Sequence, residues 1–289
     1  ILKPWMPQTS ADLKLRVSTI RRLFKDNPEA AWKVFCQLIE SFHQEVGNFT
    51  RKPLWRTDAV GYGNPLEDII PANNFRRHVI DLALSQSSYN SQMFCDLIWR
   101  LPRFSEEQQS NFWSVLDKWV KEKPTQDELA KVREEIRLRF FNSHGFVHRI
   151  HDVGFSYSKE QARIFYKKLQ PTDIYQKHMW LFNFGLVDIS SESDKPEEWD
   201  LLDQGEKLLQ FRVEALSEIT SCYGLEGIFH FAKIAKCQSL IGEIAIKSIV
   251  KSEELEDFFI YCLKNQEFLE LARGASYNFN DDQNCSLFK

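Results

Sequence analysis

Apolar residues recur at helical spacing along most of this chain, from Leu13 to about Phe279. The first example is the face formed by Leu13, Val17, Ile20 and Phe24, whose members lie four, three and four residues apart. This spacing places apolar side chains on one side of an α-helix. Clusters of proline, glycine, asparagine and aspartate interrupt the pattern, and no strong alternation typical of a β-strand appears. The pattern therefore predicts an all-α protein.

About a dozen helices are expected between these breaks. Thr9 or Ser10 is predicted to cap the first helix, and Ser105 and Thr125 to open two later helices as capping boxes. Short connections favour antiparallel hairpins stacked into a helical-repeat solenoid, of the tetratricopeptide-like or HEAT-like kind. The predicted helices cover residues 11–25, 28–42, 75–86, 89–101, 106–121, 125–142, 158–169, 171–184, 197–222, 225–235, 238–250, 253–264 and 266–279.

Two segments depart from the helical pattern. Residues 47–74 are crowded with glycine, proline and asparagine, which predicts a long irregular insertion with a short helix at 66–70. Residues 188–196 are rich in serine, aspartate and glutamate, which is typical of an exposed linker. We therefore expect an N-terminal helical array over residues 1–187, a polar linker over 188–196 and a C-terminal array over 197–289.

Composition narrows the class of protein. Hydrophobic residues make up 43% and charged residues 27% of the chain, which favours a folded, soluble protein. The six cysteines are scattered without a CxxC pair, and no apolar run is long enough to span a bilayer. These features predict a cytoplasmic protein without a membrane segment. The chain begins with Ile1 rather than methionine, so we expect a fragment of a longer polypeptide.

Charge is unevenly distributed along the chain. Residues 1–60 carry ten basic and six acidic residues (+4), and residues 61–180 carry seventeen and fifteen (+2). Residues 181–289 carry ten basic and twenty acidic residues (−10). This acidic third argues against nucleic-acid binding there. The basic N-terminal third leaves nucleic-acid binding open, with strongly salt-dependent affinity as its expected signature.

One histidine cluster carries the alternative hypothesis of an enzyme. His144, His148 and His151 lie close together with Asp152, and on a helix the three imidazoles would share a face suited to zinc. This arrangement would make the chain an all-α metal-dependent enzyme. Flanking glycines and the absence of a nearby cysteine favour loop histidines instead. We therefore expect no metal and no cofactor.

The irregular insertion contains the candidate binding residues. Arg51, Lys52, Trp55, Arg56 and Tyr62 combine positive charge with aromatic surface, as a site for a phosphate-bearing or acidic partner does. The alternative is a packed tryptophan with solvated neighbours. Deleting residues 48–70 is expected to weaken partner binding while leaving the helices folded.

A second set of arginines is expected to be solvated. Arg133, Arg137 and Arg139 could meet phosphates, but they interleave with Glu134 and Glu135 as on an exposed helix face with ion pairs. Tryptophans at helical positions are expected to pack between helices; they are Trp32, Trp99, Trp113, Trp119, Trp180 and Trp199.

The sequence carries no phosphate-binding loop, nucleophile elbow, zinc-protease motif or kinase motif. It therefore favours a non-enzymatic recognition or scaffolding region with a protein partner. In a stack of hairpins, the contact surfaces would be the insertion and the concave face.

Four segments carry a resemblance to a known class of proteins. They are residues 4–10 (PWMPQTS), 27–32 (NPEAAW), 52–56 (KPLWR) and 178–182 (HMWLF). They resemble helical-repeat regions of large bacterial antiphage defence proteins of the signal-transducing NTPase and sirtuin-like types. The resemblance implies a sensing or scaffolding region that recognises a phage component or holds the rest of its own polypeptide together. The resemblance implies no enzymatic activity for any residue of this chain.

Overall fold

A computed structural model describes residues 11–40, 69–141, 156–185, 187–189 and 201–277. Within these ranges the chain forms twelve α-helices and no β-strand, which confirms the all-α prediction. The packing of helical hairpins into a solenoid stays a prediction. The helices are α1 (Leu13–Asp26), α2 (Pro28–Glu40), α3 (Ile69–Leu84), α4 (Ser91–Arg100), α5 (Glu106–Lys121), α6 (Gln126–Ile136), α7 (Ser156–Lys168), α8 (Ile174–His178), α9 (Leu201–Ile234), α10 (Gln238–Ser248), α11 (Leu255–Lys264) and α12 (Leu269–Ser276).

The chain divides into two compact units. Unit 1 comprises Ile1–Pro124 and Asp152–Ile164, and unit 2 comprises Thr125–His151 and Phe165–Lys289. The boundary predicted at residues 188–196 differs from this division. Most of that segment lies outside the described residues, so the linker itself stays a prediction.

The two capping boxes are confirmed. The Ser105 hydroxyl accepts from the backbone N–H of Gln108 at 3.3 Å, and the Gln108 side chain accepts from the Ser105 N–H at 3.2 Å. Thr125 and Glu128 form the same reciprocal pair at 3.3 and 2.9 Å. These bonds satisfy backbone donors that the first helical turn leaves free, and they fix where α5 and α6 begin.

Two helix starts differ from the prediction. The N-cap of α1 is Asp12, whose carboxylate accepts from Leu15 N–H at 2.7 Å, so the assignment of the cap to Thr9 or Ser10 was wrong. Helix α3 begins at Ile69, so residues 69–74 do not belong to an irregular segment. Pro71 is tolerated there because a proline in the first turn removes an N–H that has no partner in the helix.

The helix expected over 171–184 is also shorter than predicted. Asp173 caps α8, which runs only over Ile174–His178 and continues as a 3₁₀ turn over Met179–Phe182.

The predicted break in the helical pattern after residue 222 is confirmed. Gly224 interrupts α9 with a φ of 64°, a backbone conformation that glycine adopts readily.

Aromatic side chains dominate the core of unit 1. Phe94 lies at its centre, with ring centroids 4.9 Å from Trp119 and 6.2 Å from Phe112. The Trp113 indole donates to the Ser158 hydroxyl at 3.3 Å, and that hydroxyl donates to Gln109 at 2.6 Å. The buried polar groups of this unit are therefore tied into the aromatic core.

In unit 2, helices α10 and α12 cross unusually closely. Gly242 lies against the backbone of Leu271 and Ala275, and Gly274 lies against the backbone of Ser239. A β-carbon at either glycine would overlap the neighbouring helix backbone. The core beside this crossing includes the edge-to-face pair of Phe182 and Phe231, whose centroids are 5.2 Å apart.

The prediction that Arg133, Arg137 and Arg139 are solvated was wrong. All three side chains are buried, with relative exposures of 7%, 3% and 7%. The Arg133 guanidinium lies 3.8 Å from the ring centroid of Tyr166, and its Nε donates to the Tyr166 carbonyl at 3.1 Å. Aromatic and hydrogen-bond partners stabilise the burial of Arg133 and of Arg137, whose guanidinium lies 4.9 Å from the Trp180 ring centroid and donates to Glu134.

Arginine donation to a carbonyl near a helix end recurs in both units. In unit 1, Arg100 Nε donates to the Cys36 carbonyl of α2 at 3.3 Å, and Arg103 donates to the Ile39 carbonyl. In unit 2, Arg212 of α9 donates to three carbonyls that follow α8. They are those of Leu181, Phe184 and Gly185, each at 2.9 Å. These side chains bind backbone carbonyls of another element and so tie neighbouring helices together.

The packing prediction for the tryptophans is mostly confirmed. Trp32, Trp113, Trp119 and Trp180 are buried. Trp99 is 53% exposed, so for it the prediction was wrong, and Trp199 lies outside the described residues. Among the helices that the structure describes, none is long and apolar enough to cross a bilayer.

Candidate functional site

A groove in unit 1 is the candidate binding site among the described residues. It lies where the α1–α2 turn meets the α3–α4 loop, and its volume is about 760 Å³. Phe24, Pro28, Trp32 and Met93 form its apolar floor. This volume and lining are typical of sites that bind a small ligand or a few residues of a peptide. We call it the Trp32 groove.

The α1–α2 turn forms one end of the groove with a single connecting residue. Asn27 N–H donates to the Leu23 carbonyl at 2.8 Å, which closes α1. The Asn27 side chain accepts from Ala30 N–H at 3.1 Å, which opens α2. Pro28 follows in the first helical turn, where its fixed φ is favourable. This local geometry places Trp32 one turn into α2, facing α4.

A part-buried hydrogen bond fixes the Trp32 indole at the floor. Its Nε1 donates to Asp96 Oδ2 at 2.8 Å, and Gln92 donates to the other carboxylate oxygen at 3.2 Å. Arg100 links the same two helices, because its Nη1 donates to the Asp96 carbonyl at 2.7 Å and its Nε donates to the Cys36 carbonyl of α2. The floor is therefore preorganised by polar contacts between α2 and α4.

The α3–α4 loop forms a wall that is held by Tyr89. The Tyr89 hydroxyl accepts from Gln86 N–H at 3.1 Å and donates to the Ala83 carbonyl at 3.0 Å. Burial raises the pKa of the Tyr89 phenol to about 12, so the hydroxyl keeps its proton at neutral pH. The ring also packs on Phe94, with centroids 5.2 Å apart. Ser87 and Ser88 are left exposed on the wall.

We expect Tyr89→Phe to lower the free energy of unfolding by about 1–2 kcal/mol, because both backbone partners lose a hydrogen bond while the ring stays packed. Chemical denaturation of the variant and the wild type measures the difference. Ser85→Ala is the matched control, since Ser85 is exposed and its hydroxyl bonds only within α3. Equal stability of Tyr89→Phe and wild type would show that Tyr89 does not hold the wall.

The rim of the groove carries an excess of positive potential. Lys25 and Lys33 are exposed on it, and the first turns of α2 and α4 open onto it at Pro28 and Asn90. Each helix N-terminus adds a partial positive charge of about half an elementary charge. Glu29 opposes this potential, whereas the charge of the Asp96 carboxylate is offset by Arg100, whose Nη1 lies 3.9 Å from Asp96 Oδ1. The groove thus suits a ligand that combines an apolar group with a carboxylate.

A second polar cluster lies in unit 2. The Glu218 carboxylate accepts from Lys177 Nζ at 2.8 Å and contacts His178 Nε2 at 2.7 Å, beside a pocket of about 230 Å³ that Arg133 also lines. Burial lowers the pKa of His178 despite its hydrogen bond to Glu218, and the charges of Lys177 and Arg133 lower that pKa further. Hydrogen bonds from Lys177 and His178 lower the pKa of Glu218. The neutral imidazole therefore serves as a donor to a carboxylate that is already ionised.

This cluster predicts a loss of stability on acidification. The unfolded chain protonates His178 near its ordinary pKa of 6.5, before the folded chain does, so the free energy of unfolding falls as pH drops below about 6.5. The loss stops once the pH is below the folded-state pKa. Glu218 adds a further loss below its ordinary pKa of 4.5, as pH falls through its lower folded-state value.

Denaturation of the wild type and His178→Gln at pH 7.5 and pH 5.5 measures the histidine contribution. Glutamine keeps a donor for Glu218 but does not titrate, so the variant is expected to lose less stability than the wild type over this interval. Parallel losses in the two proteins would exclude His178 as the source.

The candidate site residues that the sequence predicted lie outside the part of the chain that the structure describes. Arg51, Lys52, Trp55, Arg56 and Tyr62 are outside the described residues, so their role in binding stays a prediction. The same holds for the histidine cluster of His144, His148 and His151 with Asp152. Across the described ranges, no group of three or more histidine, cysteine, aspartate or glutamate side chains is placed to hold a metal ion.

The Trp32 groove was missed by the sequence analysis. Only the 27–32 segment gave a signal, because an asparagine–proline break followed by a tryptophan predicts a tight turn with an aromatic residue behind it. Asp96 and Met93 lie on α4, far along the chain, and no local pattern relates them to Trp32.

Comparison with known proteins provides no relative for either unit. No protein-family model matches the chain, and no curated protein and no solved structure matches it. The functional assignment therefore depends on the geometry of the sites themselves.

Proposed function

We propose that this chain is a non-enzymatic recognition or scaffolding region of a larger protein. In this proposal the Trp32 groove binds a short segment of a protein partner that carries a large apolar side chain followed or preceded by a carboxylate. The observation that carries the proposal is the Trp32 indole, fixed by Asp96 at the floor of an open groove of about 760 Å³. A rigid apolar floor lowers the entropic cost of binding an anchor side chain.

The choice of a peptide follows from the shape and charge of the groove. The groove is open to solvent, so it can admit part of an extended chain, and its floor offers aromatic and thioether surface to one anchor residue. Lys25 and Lys33 on the rim are exposed and complement a nearby carboxylate. The resemblance to antiphage defence proteins extends the proposal to a partner of phage origin, which would make the region a sensor.

Selection from a displayed peptide library tests the groove. The library contains equal numbers of tiled segments from phage and bacterial proteins, and the affinities of enriched peptides are measured by fluorescence polarisation. Ser88→Trp is expected to fill the groove and to weaken binding by at least about tenfold. Ser114→Trp places the same side chain on an exposed face of α5, outside the groove, and should bind as the wild type does.

A second pair of variants tests whether the lysines on the rim of the groove are needed to bind a carboxylate. Lys25→Glu together with Lys33→Glu is expected to weaken peptides that contain a carboxylate, whereas Lys14→Glu, on an exposed position of α1, should leave them unchanged. Enriched peptides that bind Ser88→Trp as tightly as wild type would overturn the groove as the site. Enrichment of bacterial segments alone would support scaffolding and contradict the sensor role.

A further inference from the structure

The outer face of α11 in unit 2 carries large apolar side chains where a solvent-facing helix would carry polar ones. Phe258 and Cys262 point into the core, with exposures of 1% and 0%. On the opposite side, Ile260 and Leu263 are 40% and 62% exposed and lie three residues apart, so they are neighbours on the helix surface. Leu269, at the start of α12, is 48% exposed.

Acidic residues surround the first turns of the same face. Glu253, Glu256 and Asp257 are exposed, and in the part of the chain that the structure describes none of them forms an ion pair. Glu256 lies four residues before Ile260, so carboxylate and apolar side chain share one stripe. Lys264 ends the stripe at the C-terminus of α11. We call the set Glu253, Glu256, Asp257, Ile260 and Leu263 the acidic α11 face.

We propose that the acidic α11 face binds a cationic amphipathic helix of a protein partner. Ile260 and Leu263 would contact the apolar stripe of that helix, and its lysines or arginines would pair with the three carboxylates. Charge complementarity identifies the partner, because these exposed carboxylates form no ion pair with any residue that the structure describes. The neighbouring Glu267 and Glu270, in contrast, pair with Lys233 and Arg273. The position of Lys264 confines the basic residues of the partner to the end that lies over the first turns of α11.

This surface is independent of the Trp32 groove, which lies in the other unit and carries the opposite charge. If both bind, the chain connects an acidic peptide of one partner to a basic helix of another. Failure of the groove experiments would leave the proposal for α11 untouched, because none of its residues lines the groove.

Two synthetic peptides of 18 residues provide the probe. Both carry leucines at the same helical spacing, and they differ in having lysines or glutamates at every polar position. Fluorescence polarisation with the full chain is expected to detect binding of the lysine peptide only. Ile260→Ser with Leu263→Ser, and separately Glu256→Lys with Asp257→Lys, are each expected to weaken that binding by about tenfold or more.

Matched substitutions on α9 control for non-specific attraction to an acidic protein. Leu209→Ser removes a leucine that is 50% exposed, and Glu226→Lys reverses an exposed carboxylate. Both should leave the affinity unchanged, and circular dichroism confirms that every variant is folded. Equal binding of the lysine peptide to all variants would overturn the proposal. A wild-type dimer in analytical ultracentrifugation that Leu263→Ser dissociates would also overturn it, because the face would then belong to a second copy of the chain.

Discussion

Gly274→Ala is expected to lower the free energy of unfolding by about 3 kcal/mol, the upper end of the usual cost of overpacking. The added β-carbon would overlap the carbonyl of Ser239 on α10. That carbonyl is part of a helix backbone, so it can yield only if α10 and α12 move apart. Separation of the helices would also loosen the contacts around Gly242. Thermal or urea denaturation of the two proteins measures the loss.

Gly205→Ala provides the control for this substitution. Gly205 lies within α9 and has nothing within 4 Å of an added β-carbon. Because alanine is the better helix former, this variant should gain up to about 1 kcal/mol. Opposite signs for the two glycine-to-alanine changes would therefore separate packing from helix propensity. A loss below 1 kcal/mol at Gly274 would mean that the close helix crossing is not tightly packed in solution.

Arg212→Ala is expected to cost about 3 kcal/mol, since it leaves the buried Leu181 carbonyl without its side-chain donor and removes two further, part-buried hydrogen bonds. The guanidinium donates to Leu181, Phe184 and Gly185, each at 2.9 Å, and the residue is only 5% exposed. Denaturant titration measures the change. Unfolding probes that report on α8 and on α9 should show the same loss of stability.

Arg212→Lys is the informative second variant. Lysine keeps the positive charge but cannot reach three carbonyls with the geometry of a planar guanidinium, so it should recover only part of the loss. Arg273→Ala, at a side chain that is 65% exposed, should leave the free energy of unfolding close to that of the wild type. Full recovery by lysine would show that charge, rather than the fork of donors, is what the site requires.

The all-α class and most helix positions could be predicted because they depend on local spacing. The two capping boxes and the break beside Gly224 are also local signals, and the structure confirms them. The start of α3 was mispredicted for a local reason as well. Residues 47–74 were predicted to be irregular from their glycine, proline and asparagine content, whereas Pro71 lies in the first turn of α3, where a proline is compatible with the helix backbone.

The candidate sites depend on contacts that local patterns do not encode. Trp32 and Asp96 are 64 residues apart in the chain, as are Arg100 and Cys36. The arginines in and after α6 illustrate the same limit. Their sequence pattern of arginine alternating with glutamate is the same whether the guanidinium faces water or a carbonyl of a neighbouring helix. Only the packed structure distinguishes Arg133 on the Tyr166 ring from an exposed arginine of the same sequence pattern.

The arginine–carbonyl contacts also have a consequence for cooperativity. A helix end normally frays on its own, since its last carbonyls are bound only by water. In α2, the Cys36 carbonyl accepts a hydrogen bond from Arg100 of α4, so this turn of α2 cannot open without releasing a side chain of its neighbour. The smallest segment that opens is then a pair of helices rather than a single turn. Local unfolding of one helix would therefore be coupled to that of its neighbour, although the sequence pattern predicts each helix as a separate element.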